Sequence, residues 1–526
     1  MYYTVVCCLS ALSALLMVLM GCKIMQILQL SSYRVRGVVS WGKRTRFEYF
    51  VRYFSAAVFS FVSMLMFVGC FWRYRSVRYL GLLFHLLYCI LFIVLTSRQK
   101  SKTPLKGTPR IVRLGALSFV FCFFASFGLA LTLPHTPLRY SFIGLLPLAV
   151  PLLVLLAHFV LLPFETLNNR RYLRRASKKL RGMPDLIRIG ITGSYGKTTA
   201  KHILAAMLAK KYRVHYSPAS YNTPLGIART VNDVAPDAQV LIAEMGARYR
   251  GDIKELCTLV RPTIGIVTAV GKQHLETFGS IEATASTKYE LIEALPEDGL
   301  GVFSADNEYT LAMYDKATCK KRLAGEKGET LFCKCADTRF TKEGMQFTLL
   351  TEQASTSVTC GLFGRHIPQL CALCAAVAIE LGVRLEEIAE ALGELSPVEH
   401  RLQPIRNGEV TVLDDAYNAN PAGAQNALEA MQVFEGVRMV ITPGFVEMGR
   451  AAEEENAAFG EEIAAVAEYA YFIGKNAEAL KTGALRGGMA EEKIAICASR
   501  DEAVAQTAKV GGPKVILFEN DLPDNL

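Results

Sequence analysis

The chain changes character part-way along its length. Up to about Phe164, apolar runs alternate with short basic patches; beyond Asp185, short apolar stretches alternate with amphipathic ones. A membrane-spanning helix needs about 20 mostly apolar residues. Five runs approach that length: Val5 to Cys22, Phe54 to Trp72, Tyr79 to Thr96, Leu114 to Leu133 and Ile143 to Phe164. None contains Asp, Glu, Lys or Arg; Lys23 enters only if the first run extends to Leu30. The pattern predicts about five transmembrane helices over residues 1–165, then a basic cytoplasmic linker over 166–184.

The cations flanking these runs orient them. Seven Lys/Arg lie in Lys23–Arg52, six in Arg98–Arg113 and seven in Arg170–Arg181, all on one side; the other side has Arg73, Arg75, Arg78 and Arg139. Twenty against four places the N-terminus outside and everything after Phe164 in the cytoplasm. The expected location is a multi-pass cell membrane protein with its soluble part inside. Leu19-Met20-Gly21-Cys22 faintly resembles a lipoprotein cleavage box, but the run lacks a basic leader and four more follow. The net charge of +10 sits mostly beside the apolar runs, so its partner is the lipid bilayer and not nucleic acid. Arg170–Arg181 either contacts anionic headgroups or simply continues a helix out of the membrane. Of 14 cysteines, six lie in or beside apolar runs, and Cys333/Cys335 and Cys371/Cys374 lack second pairs at zinc spacing. Reduced thiols are expected.

The soluble part opens with chemistry. Leu186–Thr192 is apolar enough for a buried parallel strand, and it runs into Gly193-Ser194-Tyr195-Gly196-Lys197-Thr198-Thr199. Ala200–Lys210 then reads as a helix with Ile203, Leu204, Met207 and Leu208 on one face. Strand, glycine loop and helix together make a phosphate cradle. Glycines let backbone N–H groups approach phosphate oxygens, the helix N-terminus adds partial positive charge, Lys197 adds a full one, and Thr198 offers an oxygen to magnesium. Ile191 stands five residues before Gly196, so the loop is shorter than the common pattern.

Further motifs follow in order: Ser220–Gly226, Gln239–Ala247, Gly251-Asp252-Ile253, Arg261–Thr268, His274–Ser280, Thr287–Glu290, Gly364-Arg365-His366, His400–Gln403 and Asp414–Pro421. From Asp185 to Leu526 this series resembles the Mur ligase family, and Asp414–Pro421 resembles the branch that adds D-alanyl-D-alanine. The resemblance implies ATP and Mg2+ as cofactors, bound by Gly193 to Thr199 with Arg401 and Asp415. It implies a metal set of Thr198, Glu244, His274 and Lys288, with Lys288 reacting with carbon dioxide to form a carbamate. Lys197, Lys288, His274 and Arg401 become the expected catalytic residues, and Asn222, Thr223, Asn418 and Asn420 the substrate-binding ones. The reaction implied is amide formation through an acyl phosphate, because hydroxide is a poor leaving group. The implied partners are a cell-wall precursor, UDP-linked or lipid-linked, and an amino acid or dipeptide.

Three departures stand out. Ile367 and Leu370 occupy positions where the family has asparagines that contact adenine; Lys272-Gln273 replaces a small residue and proline; Ala416 replaces serine. No sugar-binding domain fits between Glu165 and Asp185, so either the sugar end of the acceptor is held some other way or the acceptor is lipid-linked and lies at the membrane.

The expected fold class is an α-helical transmembrane bundle followed by α/β domains. These are a phosphate-loop central domain of Mur-ligase type over 185–395 and a Rossmann-like C-terminal domain over 396–526. Strands are expected at Val240–Glu244, Ile264–Thr268, Gly301–Ser304, Val410–Leu413, Arg438–Thr442, Tyr469–Ile473 and Lys514–Phe518. A strand-rich insertion is expected over 330–362. The nucleotide is expected between the two domains, with Arg401, Asp415 and Asn418 reaching across. Two competing readings are a polyglutamate-type ligase and a non-catalytic membrane scaffold. A transporter fits less well, because the apolar runs carry no internal charge.

Overall fold

The computed structural model describes residues 2–519 except 32, 46, 72–85, 95–103, 133–143, 218–220, 272–274, 397–401, 416–420, 446, 447, 449 and 450. The chain forms two compact units, one up to Arg170 and one from Arg171 onward.

The first unit is helical. It contains Tyr2–Leu30, Val35–Arg44, Glu48–Phe71, Pro109–Thr132 and most of Leu146–Arg181, with helical residues at 86–94. Among the described residues, three helices are long and apolar enough to cross a membrane by length and composition: Val6–Leu30, Pro109–Leu131 and Leu146–Arg181. They coincide with the first, fourth and fifth expected spans, and the first runs on to Leu30. The second expected span falls in Glu48–Phe71, whose shorter apolar portion is Phe50–Val62. The third falls mostly outside the described residues. Apolar side chains point outward as well as inward, Phe124 and Leu152 being 63% and 69% exposed. Just past the fifth apolar run, buried Glu165 accepts from Arg113 Nε at 2.7 Å.

The second unit is α/β. Its larger sheet contains β1 (Ile187–Thr192), β2 (Val214–Tyr216), β3 (Val240–Glu244), β4 (Ile264–Val267), β5 (Leu300–Ser304), β6 (Lys320–Gly325), β7 (Cys333–Thr341), β8 (Gly344–Leu350) and β9 (Ser355–Cys360). The order is β2-β3-β1-β4-β5-β6-β7-β8-β9. Pairing is parallel from β2 through β7 and antiparallel through β8 and β9. Strand β1 lies between β3 and β4, so the chain leaves it in one direction across the sheet and later returns on the other side. Such a switch point opens a crevice at the strand's carboxyl end, where open α/β sheets bind ligands.

Two helices cover the face beneath that crevice. Lys197–Ala209 fully buries Ile203, Leu204, Met207 and Leu208, and His366–Glu380 is buried from Leu370 through Ala378. A smaller sheet follows, made of β10 (Gln403–Asn407), β11 (Val410–Asp415), β12 (Val437–Thr442), β13 (Tyr469–Ile473), β14 (Ile494–Cys497) and β15 (Lys514–Glu519). Its order is β10-β11-β15-β12-β13-β14, parallel except at β10. The described cysteines are free thiols, and Cys333, Cys335, Cys360, Cys371 and Cys374 lie in the core around the larger sheet.

Candidate active site

The glycine loop leaves β1 at buried Thr192 and turns through two positions that only glycine adopts cheaply. Gly193 has φ +153° and Gly196 φ +77°. A Cβ on Gly193 would lie 2.0 Å from Thr268 Oγ1, and one on Gly196 would lie 2.9 Å from a Leu370 methyl. The loop is pinned from the β4 side. Ser194 N–H donates to the Ala269 carbonyl at 2.7 Å, Ser194 Oγ accepts from Gly271 N–H at 3.0 Å, and Thr268 Oγ1 donates to the Tyr195 carbonyl. The Tyr195 ring packs on Gly271, and burial pushes its phenol up to about 12. Asn307 secures that anchoring segment by donating to the Val270 carbonyl at 2.9 Å and accepting from its N–H at 3.3 Å.

Gly196 caps the helix Lys197–Ala209. That puts the helix's positive end, Thr198, Thr199 and the loop backbone at one place. Lys197 Nζ folds over the loop and donates to the carbonyls of Gly193 at 2.6 Å and Ser194 at 3.3 Å.

Glu244 is the last residue of β3, in register with Ile191 of β1, and is 2% exposed. A buried carboxylate needs compensation, and three side chains gather around this one. Its Oε2 accepts from Thr198 Oγ1 at 3.0 Å and lies 3.5 Å from Lys201 Nζ; its Oε1 accepts from Asn222 Nδ2 at 3.3 Å. Lys201 is fully buried and donates to Ser217 Oγ at 3.3 Å. Thr223, beside Asn222, caps the helix Pro224–Asp233 by accepting from Gly226 N–H at 3.3 Å. Lys288 sits on the helix Ile281–Glu293, 4% exposed. Burial, and then the neighbouring Lys197 charge, hold its amine well below the usual lysine range.

Asp415 ends β11 and accepts from Leu402 N–H at 3.1 Å. It stands opposite Glu519 of β15, which is fully buried. Burial, and then Asp415, raise the Glu519 carboxyl well above its ordinary range. No hydroxyl, amide or cation meets the Glu519 oxygens among the described residues. His274, Arg401, Asn418 and Asn420 lie outside the described residues.

Ile367 and Leu370 are both buried, and Leu370 packs under Gly196 of the glycine loop. Three residues at the site went unmarked in the sequence. Thr268 and Asn307 brace the loop and Lys201 faces Glu244. Only Lys201 left a signal, as a lysine four residues past Lys197, which puts it on the same helix face.

The Mur ligase middle domain matches residues 191–379, and the Mur ligase glutamate ligase domain matches 400–519. The UDP-N-acetylmuramoyl-tripeptide--D-alanyl-D-alanine ligase of Escherichia coli K12 is 30% identical over 312 residues, 59% of this chain and 69% of that one. Its Mycobacterium tuberculosis H37Rv counterpart is 39% identical over 246 residues, 46% of this chain and 48% of that one. The chain thus spans about half the length of the mycobacterial relatives it matches. The MurF ligase of Thermotoga maritima, solved with ADP, aligns at TM-score 0.60 and 24% identity, covering 68% of this chain and 81% of that one. A MurF of Acinetobacter baumannii aligns at TM-score 0.61 and 23% identity, covering 67% and 77%. Two domain matches in family order, on a fold shared with solved MurF enzymes, make this chain a member of the Mur ligase family.

Proposed function

We propose that this protein is a membrane-anchored, ATP-dependent ligase. It forms an amide bond through an acyl phosphate, adding D-alanyl-D-alanine or a related amine to a peptidoglycan precursor on the cytoplasmic side. The observation that carries the reading is the junction of the glycine loop with Glu244. Backbone N–H groups, a helix N-terminus and Lys197 converge there beside a buried hydroxyl–carboxylate pair 3.0 Å apart. A polyphosphate supplies the anionic charge that this cluster of donors and cations is built to meet.

Thr198 Oγ1 and Glu244 Oε2 are hard oxygen donors and fit magnesium. Those two residues would hold it, with His274 and Lys288 taking a second ion. A magnesium ion held there would supply charge neutralisation to the phosphates during transfer of the terminal phosphoryl group to the acceptor's carboxylate.

Residues of the chain do the rest. Lys197 leaves the two carbonyls it now contacts and follows the transferred phosphoryl group. Burial lowers the Lys288 amine toward the neutral form, which is the form that attacks carbon dioxide: the amine would form a C–N bond, release a proton and become a carbamate oxygen donor. Arg401 meets charge on the transferring group, and Asp415 orients the ribose or the incoming amine. Attack of that amine on the acyl phosphate then forms the amide and expels phosphate.

The Leu146–Arg181 helix and its two apolar companions support anchoring to a bilayer. The family relatives support the precursor class. The test is amine-dependent phosphate release by purified full-length protein, screened over UDP-linked and lipid-linked muramoyl peptides with D-alanyl-D-alanine. Release with one such pair, abolished by Lys197→Ala, supports the reading. No release with any pair from protein that binds Mg·ATP rejects it.

A further inference from the structure

Lys201 is a fully buried cation outside the phosphate loop, and nothing in the proposed reaction uses it. It sits one helical turn beyond Lys197, on the helix that the loop caps. Its Nζ lies 3.5 Å from Glu244 Oε2, the same oxygen that accepts from Thr198, and donates to Ser217 Oγ at 3.3 Å. Burying a lysine is costly unless it is paired, and removing one partner of such a pair is costlier still. A structural need for a cap on Thr198 or Asn222 does not require a charge here. A neutral donor on this helix would satisfy Glu244 as well.

The consequence of a charge is electrostatic. Glu244 is the carboxylate best placed to face a divalent ion at the loop, and Lys201 already neutralises it. A metal ion arriving alone meets a carboxylate whose charge is spent, plus a fixed ammonium that repels it. An ion arriving with a polyphosphate brings its own anionic ligands, and the ammonium then favours the assembly. Asn222 on Oε1 and Lys201 on Oε2 also hold the carboxylate plane in one orientation between two strands and a helix.

We infer that Lys201 is a positioning residue that couples metal binding to nucleotide binding, so that the divalent ion enters this site only as its nucleotide complex. This rests on the reading of Thr198 and Glu244 as the metal-facing pair.

The test uses full-length protein in detergent at mildly alkaline pH. Manganese replaces magnesium, and free Mn2+ is counted by electron paramagnetic resonance with and without a non-hydrolysable ATP analogue. In the native protein, Mn2+ should bind weakly alone and at least about tenfold more tightly with the analogue. Lys201→Met should tighten binding of Mn2+ alone and shrink that coupling by about tenfold, whereas Lys201→Arg, which keeps the charge, should retain most of it. A purely structural lysine would change melting temperature and leave the coupling intact. If Lys201→Met does not fold, Lys201→Gln carries the same expectation with a polar head in place. Unchanged coupling in folded Lys201→Met or Lys201→Gln overturns the inference alone. Native protein that binds Mn2+ no better with the analogue overturns both the inference and the nucleotide reading beneath it.

Discussion

Replacing Gly196 by alanine tests whether the loop is built as described. The residue has φ +77°, where an L side chain costs about 1–2 kcal/mol. The new Cβ would also lie 2.9 and 3.0 Å from the two methyl carbons of Leu370, against an ordinary carbon–carbon contact of about 3.5–4.0 Å. Leu370 is 3% exposed and sits in a close-packed helix, so it yields at a cost of about 1 kcal/mol or more. Together, Gly196→Ala should destabilise the second unit by about 2–3 kcal/mol. A folded unit of this size loses roughly 2 °C per kcal/mol, so melting of full-length protein should fall by about 5 °C.

The steric share can be isolated. Near Gly196, the atoms closest to the new Cβ all belong to Leu370. Leu370→Ala alone should cost about 2–5 kcal/mol by leaving a cavity. In the double variant the steric share disappears, so the two changes should be sub-additive by about 1 kcal/mol. The assay is thermal unfolding of the four proteins in one detergent, with and without nucleotide. A melting temperature unchanged by Gly196→Ala would refute both the backbone strain and the contact. Strict additivity would refute the contact alone.

Other perturbations are equally direct. Because burial lowers the Lys288 amine, the unfolded chain holds its proton more tightly than the folded one, so Lys288→Met should melt higher than the native protein near neutrality in carbon dioxide-free buffer. That gain should shrink as pH rises toward the unfolded lysine value of about 10.4, and a constant gain across that range would contradict the burial argument. Glu519 has the opposite sign: its raised folded value means native stability is lost as pH climbs above the ordinary carboxylate range. The advantage of Glu519→Gln should therefore open between mildly acidic and mildly alkaline pH, and parallel melting curves would refute the raised carboxyl. Asn456→Ala should cost about 1–3 kcal/mol by stranding the Phe445 N–H, whose carbonyl keeps Asn476 as a donor, and no measurable loss by chemical denaturation would contradict that. If the acceptor is lipid-linked, detergent-solubilised protein should turn it over faster than the free UDP-sugar peptide, and equal turnover would reject that idea.

The alternation of apolar and amphipathic stretches made most parallel strands legible, because a strand buried on both faces must be continuously apolar. Val240–Glu244 and Tyr469–Ile473 fall where they were expected. Strands that escaped notice break that rule. β6 opens Lys320-Lys321-Arg322 and is half-buried, β2 has three residues, and β10 is an edge strand carrying Pro404 and Arg406. Edge strands answer to one neighbour only, so their side chains need not be apolar.

At the site, the glycine loop was readable because phosphate binding demands glycine at two fixed positions. The bracing by Thr268, Gly271 and Asn307 was not, since those contacts join residues distant in sequence that only the sheet order brings together. Leu370 entered the sequence reading only as a departure from the family pattern; that its side chain packs under Gly196 could not be read from spacing.

The central claim is that the loop at Gly193–Thr199 and Glu244 together hold a metal-bound nucleoside triphosphate. Titration calorimetry of the full-length protein with ATP, in magnesium and then in excess chelator, measures this most directly. One nucleotide per chain in magnesium, sharply weakened by chelation and by Glu244→Gln, is the expected result. Folded protein that takes up no nucleotide in magnesium would contradict it.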